Sequence, residues 1–247
     1  MKGKSKFLFI VLTLIVLLGY NYKYATYKIE LLGSYDKILA HRVNSADKLS
    51  SALKYFKGVE LDLVYFEKED FFDVNHPPAE SINLKFESYL DVLKVNEKPF
   101  LWLDIKNLTD ANSIKILKKL LVIFNEINYP LDKILIETQN PNALPVFSEA
   151  GFKTSYYLPY GLCQMNSDEL KATVISIKKV LNTHLKMAIS SDIQDYQILD
   201  KNFPSKVKYT WVTGSVFRNN FFQAQKAIRD PKVAIVLVTY NAPKGNR

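Results

Sequence analysis

The sequence predicts an α/β fold, a (β/α)8 barrel of the TIM type. Three observations predict it. Eight short apolar, β-branched runs alternate with helix-like stretches. The length of 247 residues suits a single barrel of about 250. Polar residues recur at the carboxyl ends of the early runs, where such barrels carry their chemistry. An open doubly wound sheet is the alternative, and it is disfavoured because the chain has only eight glycines and no glycine-rich phosphate loop.

The elements follow in order. Lys2, Lys4 and Lys6 precede an uninterrupted apolar run over 7–18, continued by Gly19 and Tyr20. A basic stretch followed by such a run predicts a signal peptide or signal anchor over 1–23. Positive charge at the amino end would place the rest outside the cytoplasm: secreted, periplasmic, or held at a membrane by this segment. A Tyr- and Lys-rich connector occupies 24–36, and the barrel occupies 37–247. Its strands are expected at 37–40, 58–64, 100–105, 133–137, 154–158, 186–190, 209–212 and 233–239. Helices are expected at 46–56, 86–94, 109–127, 142–150, 167–182 and 220–228, several opening on Ser, Thr, Asp or Asn as caps should.

Composition narrows the function. Hydrophobic residues make up 48% and charged residues 23%, which fits a packed core rather than disorder. The net charge of +8 comes mostly from scattered lysines and favours anionic surfaces or substrates. No basic run is interleaved with aromatics, so nucleic acid is not an expected partner. The single cysteine, Cys163, excludes an internal disulfide and a cysteine-rich metal site, and reads as core filler rather than a nucleophile.

The polar strand ends converge on one site. His41 and Arg42 end the first strand. Glu60 and Asp62 share a face of the second, because alternate strand residues do. His76 follows in the next loop, Asp104 and Lys106 share a face of the third strand, Glu137 ends the fourth, and Trp211 lies on the seventh. Buried strands carry charge only when it is paired or metal-bound. His41 alone would read as a core histidine; beside Glu60, Asp62, His76 and Asp104 it reads as part of a site. Arg42 serves equally well as a structural ion pair, and Trp211 as barrel core or pocket wall. His184 is expected at the surface, and Asp192 and Asp195 in a solvated loop.

These residues resemble the phospholipase-C-like phosphodiesterase barrels. His41-Arg42, Glu60-Leu-Asp62 and a second histidine, His76, match the opening of glycerophosphodiester phosphodiesterases. His41-Arg-Val-Asn44 and Leu103-Asp-Ile-Lys106 are similar to the sphingomyelinase D-type phospholipases and the menorin family, and His76-Pro77-Pro78 to the latter. Val43 stands where the glycerophosphodiesterases carry glycine, their Pro-Glu-Asn-Thr segment is missing, and the third acid is Asp104, as in the sphingomyelinase D type. The resemblance covers roughly 38–107. It implies a metal-dependent phosphoric diester hydrolase or lyase acting on a lipid headgroup or cell-envelope phosphodiester. Glu60, Asp62 and Asp104 would hold one divalent cation, Mg²⁺ or Ca²⁺, in an all-oxygen site. His41 and His76 would divide the acid and base work. Arg42, Asn44, Lys106, Glu137 and Trp211 would meet or orient the substrate. Two other readings stay open: a non-catalytic menorin-like binding module, and a sugar-active barrel, which leaves the histidines unexplained.

Overall fold

The computed structural model describes residues 2–24, 33–93, 98–212 and 221–241. Its strands are β1 (Ile38–His41), β2 (Gly58–Phe66), β3 (Phe71–Val74), β4 (Phe100–Ile105), β5 (Ile134–Thr138), β6 (Lys153–Tyr157), β7 (Ala188–Asp192), β8 (Lys208–Val212) and β9 (Val233–Thr239). All except β3 pair in parallel around a ring, β1 joining β9 on one side and β2 on the other, where Ala40 meets Val59. The result is an eight-stranded parallel (β/α)8-like barrel. Helices α1 (Lys2–Tyr24), α2 (Ala46–Ala52), α3 (Phe86–Leu90), α4 (Ser113–Glu126), α5 (Pro145–Ala150), α6 (Ser167–Thr183), α7 (Tyr196–Asn202) and α8 (Phe221–Arg229) complete the described elements.

Strand alternation builds two separate cores. Leu39, Trp102, Leu135, Ala188, Tyr209, Trp211, Ile235 and Leu237 fill the barrel interior as one buried cluster. Their strand neighbours, such as Ile38, Ala40, Leu61, Leu103 and Ile136, face outward and pack in a larger cluster with the helices. On α4 the buried residues are Ser113, Ile116, Leu120, Ile123 and Phe124. That three-to-four spacing is the single apolar stripe a barrel helix needs. Asn166 caps α6 by accepting from the backbone N–H groups of Asp168 and Glu169, and Glu169 reaches back to the cap.

Gly58 sets the approach of β2 to β4. It pairs in register with Phe100, and a Cβ there would stand 2.3 Å from the Phe100 carbonyl oxygen and 2.7 Å from its Cβ. Neither atom belongs to a flexible side-chain end, so the strands themselves would have to part. Gly58→Ala is expected to destabilise the fold by about 2 kcal/mol. Urea denaturation measures this, and an unshifted midpoint would refute the packing argument.

The eight expected strands are all present, displaced by at most two residues at either end. Two elements were not anticipated. β2 runs beyond the barrel rim and folds back as the antiparallel β3, and α7 follows β7. Helices expected over 109–127 and 142–150 begin instead with the 3-10 turns Asp110–Asn112 and Pro141–Ala143. Most of the connector, and residues 94 and 220 at helix ends, lie outside the described residues.

The amino-terminal expectation needs correction. The segment is helical, but its uninterrupted apolar run over 7–18 rises only about 18 Å, against a hydrocarbon layer of about 30 Å. Among the described residues no helix is long and apolar enough to cross a membrane. That finding overturns the expected membrane anchor. The membrane partner held through that segment, and placement by anchoring to a membrane, fall with it.

Candidate active site

Register brings the acids together. Asp62 on β2 lies beside Asp104 on β4, and Asp104 lies beside Glu137 on β5. Glu60 sits two residues before Asp62 and so shares its inward face. One carboxylate oxygen from each of Glu60, Asp62 and Asp104 falls within 4.8 Å of the others, and all three residues are buried. Among the described residues this is the one such cluster of possible metal ligands.

The chain's own donors hold the cluster. Asn44 grips Asp62 twice: its amide donates to Oδ2 at 2.6 Å, and its carbonyl oxygen accepts the Asp62 backbone N–H at 3.0 Å. Lys106 Nζ lies 2.6 Å from Asp62 Oδ1 and also donates to Asp104 Oδ2. Arg42 takes the left-handed conformation, φ 54°, which most side chains avoid. Its backbone N–H donates to Glu60 Oε2 at 2.6 Å, while Lys48 Nζ secures its carbonyl at 2.6 Å. The main chain of Arg42 is thus a site component, whereas its side chain is exposed.

The two histidines flank the acids from different elements. His41 Nε2 is 3.6 Å from Glu60 Oε2, and its side chain is 12% exposed. His76 Nε2 is 4.0 Å from Asp62 Oδ1 and 32% exposed, so His76 is the histidine nearer to solvent. The β2–β3 hairpin delivers His76: the Asn75 backbone N–H donates to the Asp62 carbonyl at 3.1 Å.

Burial dominates the electrostatics. It lowers His41 to about 3, with the Arg42 charge acting in the same direction. It holds the Glu60 carboxyl well above its ordinary range, with repulsion from Asp62 and Asp104 added. Burial also raises Asp104 against the pull of Lys106. Glu137 rises to about 8 through burial and then repulsion from Asp104. For Lys106, burial favours the neutral amine, but Asp104 and Asp62 outweigh it and hold the ammonium above the ordinary lysine range. Too much negative charge is buried here for one lysine to balance. The donor set is all oxygen, which fits a hard divalent cation.

The remaining expected residues are placed as follows. Glu137 lies outside the three-carboxylate set, and its Oε2 accepts from Trp102 Nε1 at 3.1 Å. Trp211 is 8% exposed and meets Tyr157 edge-on, ring centres 4.9 Å apart, as part of the barrel-interior cluster. Asp192 and Asp195 are buried rather than solvated. Asp192 accepts from the Gln194 backbone N–H, and Asp195 from Ser191 Oγ and the Cys163 backbone N–H, so both are structural acceptors. Cys163 is exposed, not core filler; burial of its thiol and the neighbouring Asp195 push it up to about 11 and keep it a thiol. Lys48, Trp102 and Tyr157 were missed. Only Lys48 gave a signal, as a lysine in the first turn of a helix, where positive charge is disfavoured.

No family model matches the chain, and no curated protein matches it. Solved structures do. A phosphodiesterase of Oleispira antarctica in complex with the product sn-glycerol-3-phosphate matches with a TM-score of 0.57 at 14% identity, covering 83% of this chain and 93% of that one. A glycerophosphodiester phosphodiesterase from Thermotoga maritima matches at 0.54 and 13% identity, over 82% of this chain and 93% of that one. Another, from Parabacteroides distasonis, matches at 0.55 and 12% identity, over 84% and 93%. At such identities the likeness speaks for the fold. The chain therefore shares its (β/α)8-like barrel fold with solved glycerophosphodiester phosphodiesterases.

Proposed function

We propose that this protein is a divalent-cation-dependent phosphodiesterase acting on glycerophosphodiester-like or phospholipid-headgroup substrates. The observation that carries the reading is the convergence of Glu60, Asp62 and Asp104 between two histidines at the carboxyl ends of barrel strands. A cation held by the three carboxylates would supply charge to offset the developing negative charge on phosphorus oxygens. Its identity, Mg²⁺ or Ca²⁺, follows from the same all-oxygen donor set.

The chain's own residues divide the remaining chemistry. His41 would accept the proton of the attacking hydroxyl, from water or from the substrate itself. His76, at the open edge, returns a proton to the leaving oxygen. Lys106 and the Arg42 side chain neutralise the phosphate. Asn44 fixes the rotamer of Asp62, and Trp211 with Tyr157 shapes the wall that meets the alcohol portion.

The test is release of p-nitrophenol from bis-p-nitrophenyl phosphate, beside a panel of glycerophosphodiesters and lysophospholipids, with Mg²⁺, Ca²⁺ or EDTA. Cation-dependent turnover is expected, and His41→Ala should lower it by about 10²-fold or more. A folded, cation-binding protein that turns over no substrate would instead favour a non-catalytic binding module.

A further inference from the structure

The oxygens of the acidic cluster are already engaged by the protein. Asp62 uses Oδ2 for the Asn44 amide and Oδ1 for the Lys106 ammonium. Lys106 also donates to Asp104 Oδ2, and Glu60 Oε2 takes the Arg42 backbone N–H. An ion shared by Glu60, Asp62 and Asp104 therefore meets a fixed positive charge on two of its three carboxylate partners. Asn44 and the Arg42 backbone are neutral donors, so they orient these oxygens without opposing a cation. Lys48 sits further out, on the carbonyl oxygens of Arg42 and His41. Among the described contacts, only Lys106 places an ammonium on the carboxylate oxygens of the cluster.

Charge counting gives that contact a consequence. Three ionised carboxylates carry −3, and Lys106 brings the set to −2, which one divalent ion neutralises. We propose that Lys106 is a charge-setting residue of the cation site. It competes with the bound ion for Asp62 and Asp104, holds affinity down, and keeps the site matched to a divalent rather than a trivalent ion. The inference rests on the cation reading above and adds to it a role separate from contact with phosphate. Lysine suits this role because its compact ammonium bridges two carboxylates from a flexible stem. The Lys106 side chain is 24% exposed, which leaves room for the ammonium to yield when an ion arrives.

The test is cation binding to the full chain after removal of metal with EDTA. Calorimetry gives Ca²⁺ and Mg²⁺ affinities, and luminescence gives Tb³⁺ affinity. Lys106→Met is expected to bind Ca²⁺ about ten-fold or more tighter than the parent protein, because a positive charge a few ångströms away has gone. Its preference for Tb³⁺ over Ca²⁺ should rise as well. Lys106→Arg, which keeps the charge, should stay near the parent affinity. Lys106→Gln, neutral but still able to donate to Asp104, provides the same comparison should the methionine variant fold poorly by circular dichroism. Parent-like or weaker Ca²⁺ binding in the folded neutral variants would overturn the charge-setting role while leaving the cation site intact. Loss of Ca²⁺, Mg²⁺ and Tb³⁺ binding from parent and variants alike would overturn the cation reading itself.

Discussion

Glu60→Gln is expected to abolish cation-dependent turnover, by about a thousand-fold or more, while leaving the metal-free fold at least as stable as the parent. The two halves have one cause. Burial, and then the charges of Asp62 and Asp104, raise the Glu60 carboxyl well above its ordinary range and so favour its neutral form. Glutamine copies the size and neutrality of that form, and its carbonyl oxygen can still accept the Arg42 backbone N–H, now 2.6 Å from Glu60 Oε2. Nothing in the metal-free protein is lost. What glutamine cannot do is ionise for a cation, and loss of a charged oxygen ligand removes several kcal/mol of transition-state stabilisation, each 1.36 kcal/mol being a factor of about ten. Thermal melting in EDTA, calorimetry with Ca²⁺ or Mg²⁺, and the phosphodiester assay read the three quantities separately. A variant that still binds the cation at parent affinity would remove Glu60 from the ligand set.

The sequence made the barrel legible because parallel strands buried on both faces read as short apolar runs, as β4, β5 and β9 do most plainly. The strand-end acids were legible for a related reason. Glu60, Asp62 and Asp104 interrupt those runs at positions that one inward face brings together. The β2–β3 hairpin was not legible. Its turn, Glu67-Lys-Glu-Asp70, looks like a solvated loop, and Phe71-Phe-Asp-Val74 is too short to show alternation. Yet the hairpin sets the position of His76. The seven-residue α7 was missed because so short a helix shows barely two turns of pattern. The backbone of Arg42 was the deepest omission. Its residue type suggested a side-chain role and gave no sign that φ 54° and a hydrogen bond to Glu60 also place the main chain in the site. Residue identity carries no sign of such a conformation when the residue is not glycine. The amino-terminal segment misled in the opposite direction: an apolar run after basic residues suggested a membrane anchor, although the run over 7–18 is too short to cross a membrane.

A site built this way should make metal-free stability fall as the pH rises above about 6.5. Glu137 has a folded pKa of about 8 against an ordinary 4.5. The folded state therefore holds more protons than the unfolded state throughout that interval, and stability declines from pH 4.5 to 8. His41 acts oppositely. Its folded value is about 3 against 6.5, so the unfolded state holds more protons and stability climbs with pH up to 6.5. The two slopes oppose each other between 4.5 and 6.5, and above 6.5 only the carboxyl slope remains. From there to pH 8, Glu137 alone removes about 2 kcal/mol, and Glu60, also raised, adds to the decline. Urea unfolding in EDTA at pH 5.5, 6.5, 7.3 and 8 measures the curve. Glu137→Gln should flatten it in part and raise stability at pH 8. Saturating Ca²⁺ should oppose the decline, since ionised carboxylates are what the cation binds. A metal-free protein equally stable at pH 6.5 and 8, with the glutamine variant tracking the parent, would mean that these buried acids do not carry the cost assigned to them.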